Sequence, residues 1–144
     1  MGVSDIRFAS KDVPFQVKKI LDLRKWIAST VAAENQSVAS VQYVWCSDEA
    51  LWEINTKFLA HDTYTDIITF DYRESPEEPI RSDLYISVER VKENAAESGT
   101  AFIDELHRVM IHGILHLCGY GDNTPAEKAE MTEKEDYYLS LRTF

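Results

Sequence analysis

The stretch His112-Gly113-Ile114-Leu115-His116-Leu117-Cys118-Gly119-Tyr120-Gly121-Asp122 brings two imidazoles and a carboxylate together. On a helix, His112 and His116 stand at i and i+4, so both rings project from one face with Cβ atoms about 5–6 Å apart, close enough to share one metal ion. Gly119 follows where a helix can end in a left-handed turn, and Asp122 comes three residues later, so the chain can reverse and return a carboxylate to the same ion. Two imidazoles and one carboxylate suit a catalytic zinc site, in which three protein ligands leave the fourth position for water. Nickel, manganese and iron remain open on ligand type alone.

The spacing follows the pattern H-x-x-x-H-x-x-G-x-x-H of metzincin sites, with Asp122 in the third ligand place. The glutamate that serves HExxH peptidases as general base is replaced by Gly113, which has no side chain, so peptide hydrolysis by that route is not expected. Another base is then required, Glu105 or Asp66 if folded nearby, or else water activated by the ion itself. Cys118, beside Leu117 and Tyr120, reads as a small buried hydrophobe and is left out of the ligand set. His107, five residues before His112 and nearly opposite on the helix, reads as a surface or capping residue. Asp66 reads either as an acceptor orienting a ligand imidazole or as a turn cap opening a strand.

The elements that must position these side chains follow from periodicity. Residues 1–17 alternate irregularly around Pro14 and suggest one or two short edge strands; Lys18 to about Glu34 has apolar residues at helical spacing and a basic end. Val38–Cys46 is β-branched and aromatic, and Ser47-Asp48 then offers an N-cap for a helix to about Leu59. After the break at 61–65, Asp66–Tyr72 is read as a third core strand, Arg73–Ser82 as an exposed connection, and Leu84, Ile86 and Val88 as a further strand. Helices are expected over about Glu89–Glu97, Ala101–Leu117 and Pro125–Leu141, with Thr124 as N-cap before Pro125. The last helix reads as a solvated acidic face (Glu127, Glu130, Glu133, Glu135, Asp136) and a docking side of Met131, Tyr138 and Leu141. The expected fold is α+β, a single domain over 1–144, with a mostly mixed sheet of about four to five strands packed with helices.

Composition narrows the function classes. With 144 residues, 44% hydrophobic, the chain can bury a core; 25 acidic against 15 basic residues leave a net charge of −10, which excludes a generally DNA-coating protein. No apolar run reaches the ~18 residues of a membrane helix, and residues 1–12 lack an apolar segment behind a basic start, so no membrane partner and a cytoplasmic location are expected. Two cysteines, Cys46 and Cys118, do not make a disulfide scaffold. Lys18, Lys19, Arg24 and Lys25 offer a local basic patch for RNA phosphates or a merely solvated helix face, and most of Trp26, Trp45, Trp52 and the tyrosines read as core.

His112 to Asp122 resembles the H-G-x-L-H-L-x-G-Y-x-H signature of the YbeY family, bacterial metal-dependent endoribonucleases of rRNA maturation. Ile54-Asn55 through Phe58, then Asp62 and Thr65-Asp66-Ile67-Ile68-Thr69-Phe70, is similar to that family's L-N-x-x-[YF]-R-x-x-D-x-x-T-D-V-L-S-F block. Asp83-Leu84-Tyr85-Ile86 resembles its G-D-I-x-I strand, and Met131 and Glu135 fall where its last helix carries Met and Glu. The resemblance implies a zincin-like metal helix, one Zn²⁺ per chain on His112, His116 and Asp122, and single-strand-directed cleavage of RNA in ribosomal RNA maturation and ribosome quality control. Single-stranded or ribosomal RNA, the small ribosomal subunit and assembly factors would be the partners, and DNA would not. The sequence departs from the family twice: Asp122 replaces the third histidine, and Leu59 replaces the arginine that serves catalysis or RNA backbone contact in relatives. Asp66 and His61 are the catalytic candidates. The rival readings are a non-catalytic assembly factor with a structural metal, and a zinc hydrolase of a non-RNA substrate.

Overall fold

The computed structural model describes residues 5–59 and 65–144. Along the chain run β1 (Ile6–Ser10), α1 (Ile20–Ala33), β2 (Val38–Cys46), α2 (Asp48–Leu59), β3 (Ile67–Asp71), β4 (Ile80–Ser87), α3 (Val88–Ser98), α4 (Phe102–Leu117) and α5 (Pro125–Ser140). The four strands form one sheet in the order β1-β2-β4-β3. β1 and β4 both pair with β2 in parallel, and β3 pairs with β4 antiparallel, so the sheet is mixed.

Alternation along the strands sorts residues to two faces. One face carries Ile6, Tyr43, Trp45, Leu84 and Ile86 into the main core, where they meet Leu23 and Ile27 of α1 and Leu106, Met110 and Ile114 of α4. Two buried side-chain donors tie the layers together: Tyr43 Oη of β2 donates to the Met110 carbonyl of α4 at 2.9 Å, and Trp26 Nε1 of α1 to the Tyr138 carbonyl of α5 at 2.8 Å. On the opposite face α2 covers a smaller cluster of Cys46, Ala50, Leu51 and Ile68. Ser47 caps α2 as expected, its hydroxyl accepting from the Ala50 N–H at 3.1 Å.

Three boundaries differ from the sequence reading. The strand read over Asp66–Tyr72 is β3, Ile67–Asp71, and it lies at the edge of the sheet, its pairing being to β4 alone among the described residues. The connection read over Arg73–Ser82 ends early: β4 begins at Ile80, which is fully buried and pairs with Val38. Val88 leaves the strand and opens α3, since the Ser87 hydroxyl accepts from the Arg90 N–H at 3.1 Å and so turns the backbone into a helix.

Candidate metal centre

α4 lies across the core face with its last turn beside β3. Gly113 makes that approach possible: a Cβ there would stand 2.4 Å from Leu84 Cδ2 and 2.8 Å from Ile67 Cδ1. The place a peptidase base would occupy is therefore pressed against the sheet. On the cleft side, one residue before this contact and three residues after it, lie the two imidazoles, His112 and His116, with ring centroids 4.5 Å apart and planes at 86°.

The turn after α4 returns the third group. Gly119 has φ of +108°, a backbone conformation that favours glycine. Around it the Gly119 N–H donates to the His116 carbonyl at 3.0 Å and the Tyr120 N–H to the Leu115 carbonyl at 3.1 Å, the pair of bonds of a Schellman motif. Tyr120 is anchored in turn, its hydroxyl donating to Glu34 at 2.8 Å. Farther on, the Thr124–Glu127 capping box at the start of α5 fixes the return strand of the loop, with the Glu127 carboxylate also accepting from the Asn123 N–H at 3.0 Å. Asp122, held between these two caps, places Oδ2 3.5 Å from His112 Nε2 and 3.3 Å from His116 Nε2. One donor atom from each of the three residues lies within 4.8 Å of the others.

The donor set fits a divalent ion because the other nitrogen of each ring is already engaged. His116 Nδ1 is 2.8 Å from the Tyr120 carbonyl, which only accepts, so Nδ1 carries the proton and the Nε2 lone pair faces Asp122. His112 Nδ1 is 2.6 Å from Glu135 Oε2. The other oxygen of Glu135 accepts from Arg108 Nη1 at 2.8 Å, and Arg108 also pairs with Asp136 at 2.6 Å. Burial opposes a positive charge on His112, but the hydrogen bond and charge of Glu135, with Asp122 and Asp66, outweigh it and raise its pKa above the ordinary value.

A cleft of about 500 Å³ opens at these ligands, walled by Asp66, Thr69 and Asp71 on the β3 side and Asn55 on α2. Burial raises the Asp66 carboxyl above the usual range, against the opposing pull of His112. The backbone N–H groups of Asp66 and Ile67 also pull its pKa down, and the carboxylate beside His112 Nδ1 is that of Glu135. Glu105, the other base considered, does not line this cleft and faces Arg108 and Asp136 in a separate depression. His61 and Asp62 lie outside the described residues.

Two sequence readings are corrected. Glu135 is not part of a solvated acidic face: it is buried with Met131 and Tyr138, and the signal was present in its spacing, since 131, 135 and 138 form one helical stripe. His107 is not a surface residue but 3% exposed, its Nδ1 accepting from Arg142 at 2.7 Å, between the rings of Trp26 and Phe144. Burial, then the Arg142 charge, pushes its pKa down to about 4. Cys118 stands outside the ligand cluster, with burial pushing its thiol up to about 12. None of Lys18, Lys19, Arg24 and Lys25 lines the cleft; Arg24 donates to the Ile6 carbonyl at 2.7 Å instead.

Residues 5–142 match the family model described as Endoribonuclease YbeY. An Endoribonuclease YbeY of Cytophaga hutchinsonii is 45% identical over 144 residues, covering 100% of both chains. That of Bacteroides thetaiotaomicron is 43% identical over 129 residues, covering 86% of this chain and 93% of the relative. The solution structure of a Thermotoga maritima protein is similar with a TM-score of 0.65 at 30% identity, covering 94% of this chain and 87% of that one.

Proposed function

The chain belongs to the YbeY family of endoribonucleases, and on that premise we propose that it hydrolyses RNA phosphodiester bonds in ribosomal RNA maturation, with His112, His116 and Asp122 holding one divalent ion, zinc, per chain. The observation that supports the site is the convergence of two Nε2 atoms and one carboxylate oxygen while both Nδ1 atoms are tied to fixed acceptors. The chemistry supplied by such an ion when bound is Lewis acidity toward a phosphoryl oxygen and toward water.

The chain's own groups do the rest. Gly113 leaves the helix without a peptidase base, and Asp66, whose proton affinity is raised by burial in the cleft wall, takes the proton of the attacking oxygen. Glu135 and the Tyr120 carbonyl hold the two rings so that neither turns when an anionic substrate arrives. Single-stranded ribosomal RNA is the substrate, the small ribosomal subunit and assembly factors are the partners, the cytoplasm is the site of action, and ribosome quality control belongs to the same role. Among the described residues no helix is long and apolar enough to cross a membrane.

Pure protein incubated with an unstructured RNA, with and without a chelator, tests this reading: cleavage that stops on chelation and is absent from His112→Ala, which also loses its metal by elemental analysis, is expected. Cleavage undiminished in His112→Ala would overturn it. Leu59, in place of the family's arginine, favours a second reading, an assembly factor with a structural ion. Inactivity on RNA and on ribosomes at full metal loading would establish that one instead.

A further inference from the structure

We propose that the open face of the β3–β4 hairpin is a stacking platform for the bases of single-stranded RNA whose backbone enters the metal cleft around the edge of β3; this rests on the nuclease reading and names where its substrate lies. By register, Ile68 stands opposite Tyr85 and Phe70 opposite Asp83, so these side chains share the face turned away from α4; α2 buries Ile68 and half-covers Phe70 and Tyr85, and the open part of the face lies at Phe58 and Tyr72. The Tyr72 N–H donates to the Arg81 carbonyl at 2.9 Å, which continues the pairing and adds Tyr72 to that face.

The rings there form one connected group. Phe70 and Tyr72 lie almost parallel, 6° apart with centroids at 6.4 Å, and Phe58 of α2 and Tyr85 stand edge-on to Phe70 at 6.3 and 5.8 Å. Phe58 is 68% exposed and Tyr72 51%, an unusual outlay of aromatic surface beside a cleft. The Tyr72 hydroxyl donates to Asp83 at 2.9 Å, so its ring is held before any base arrives.

The platform is continuous with the cleft. The cleft is lined by Thr69 and Asp71 from the core side of β3 and also by Ile68 and by Asn55 of α2, so it wraps the free edge of the strand; Phe58 lies one helical turn beyond Asn55. A strand with its phosphate at the metal ligands can pass round that edge and lay unpaired bases on Phe58 and Tyr72, which a duplex, with its bases already stacked, cannot do. Lys57, next to Phe58 in sequence, and Arg81, whose Nη2 donates to the Tyr72 carbonyl at 3.2 Å and also pairs with Glu78 at 3.2 Å, bring positive charge beside the rings for the phosphates between bases.

Binding of two labelled probes to the metal-loaded protein tests this: a 2′-O-methyl oligouridylate and an abasic oligomer of equal length. Wild type should prefer the base-bearing probe, and Phe58→Leu and Tyr72→Leu should each weaken it about 5- to 100-fold while leaving the abasic probe unchanged. Tyr72→Phe, which loses the bond to Asp83 but keeps the ring, should bind like wild type. Equal affinity for both probes, or unaltered binding in both leucine variants, would overturn the platform and leave the rings to a protein partner. Base preference without metal-dependent cleavage would sustain the platform and sink the nuclease reading, and cleavage without base preference would do the reverse.

Discussion

Replacing Glu135 tests how the site is built. The residue is 6% exposed and its carboxylate is shared between His112 Nδ1 at 2.6 Å and Arg108 Nη1 at 2.8 Å. Glu135→Gln keeps the shape and an acceptor for the Nδ1 proton but removes the charge that makes Nε2 a stronger donor; Glu135→Ala removes both and frees the ring. Loss of such an outer partner costs roughly 10- to 100-fold in metal affinity, so Gln should fall near the lower figure and Ala near the upper, about 1.4 and 2.7 kcal/mol. The structural cost is separable, because Arg108 is about one-third exposed and keeps Asp136 as a partner at 2.6 Å, so its guanidinium is not stranded. Zinc competition against a chromophoric chelator gives the affinity, and thermal unfolding in excess chelator gives the metal-independent stability. Zinc affinity in Glu135→Ala within twofold of wild type would refute the orienting role. So would an equal loss in Arg108→Ala, which leaves the Glu135–His112 pair intact.

Three further outcomes follow from the same structure. Gly113→Ala gains up to about 1 kcal/mol of helix propensity but loses about 1–3 kcal/mol by pressing on Leu84 and Ile67, so chemical denaturation should show a net loss of up to about 2 kcal/mol, and Gly113→Glu should show no peptidase activity. His107 is held neutral, with its pKa depressed from 6.5 to about 4, so the unfolded chain takes up its proton first as the pH falls; stability fully present above 6.5 should decline on the order of 3 kcal/mol down to about 4, and unfolding curves of His107→Leu should lack that component. Leu59→Arg, restoring the family's residue, should raise the rate on unstructured RNA by up to ~10²-fold at matched metal loading, which single-turnover gels would show.

What was legible in the sequence was whatever has a local period or cap. The i,i+4 histidines, the left-handed Gly119 and the Thr124 cap before Pro125 are each decided within a few residues, and all are present. The edge position of β3 was not legible, because strand order depends on β4 pairing β2 across a long stretch of chain. For Glu135 the helical stripe with Met131 and Tyr138 showed the buried side, but not that its partner would be His112, 23 residues away. His107 failed for a related reason: helical phase places it away from the ligands but does not show that α1, through Trp26, and Phe144 close over it.

The charge of the cleft joins metal binding to RNA binding. Asp66, Asp71 and Asp122 all line it, in a chain of net charge −10, an arrangement that repels a polyanion. Arg73, with its side chain only 4% exposed, pairs with Asp71 at 2.7 Å and also donates to the Leu117 carbonyl at 2.6 Å, so that carboxylate is offset and the end of α4 is held by the same guanidinium. Among the described residues no lysine or arginine pairs with Asp66 or Asp122. These two carboxylates have His112 and His116 beside them in place of a lysine or arginine, and their combined charge matches that of one divalent cation, so that with it bound the pair would present no excess negative charge to a phosphodiester. With an ion held there as proposed, the substrate's approach would depend on it as well as the chemistry, and Asp122 in place of the family's third histidine would make that dependence stricter, because the carboxylate adds a repulsive charge whenever the ion is removed.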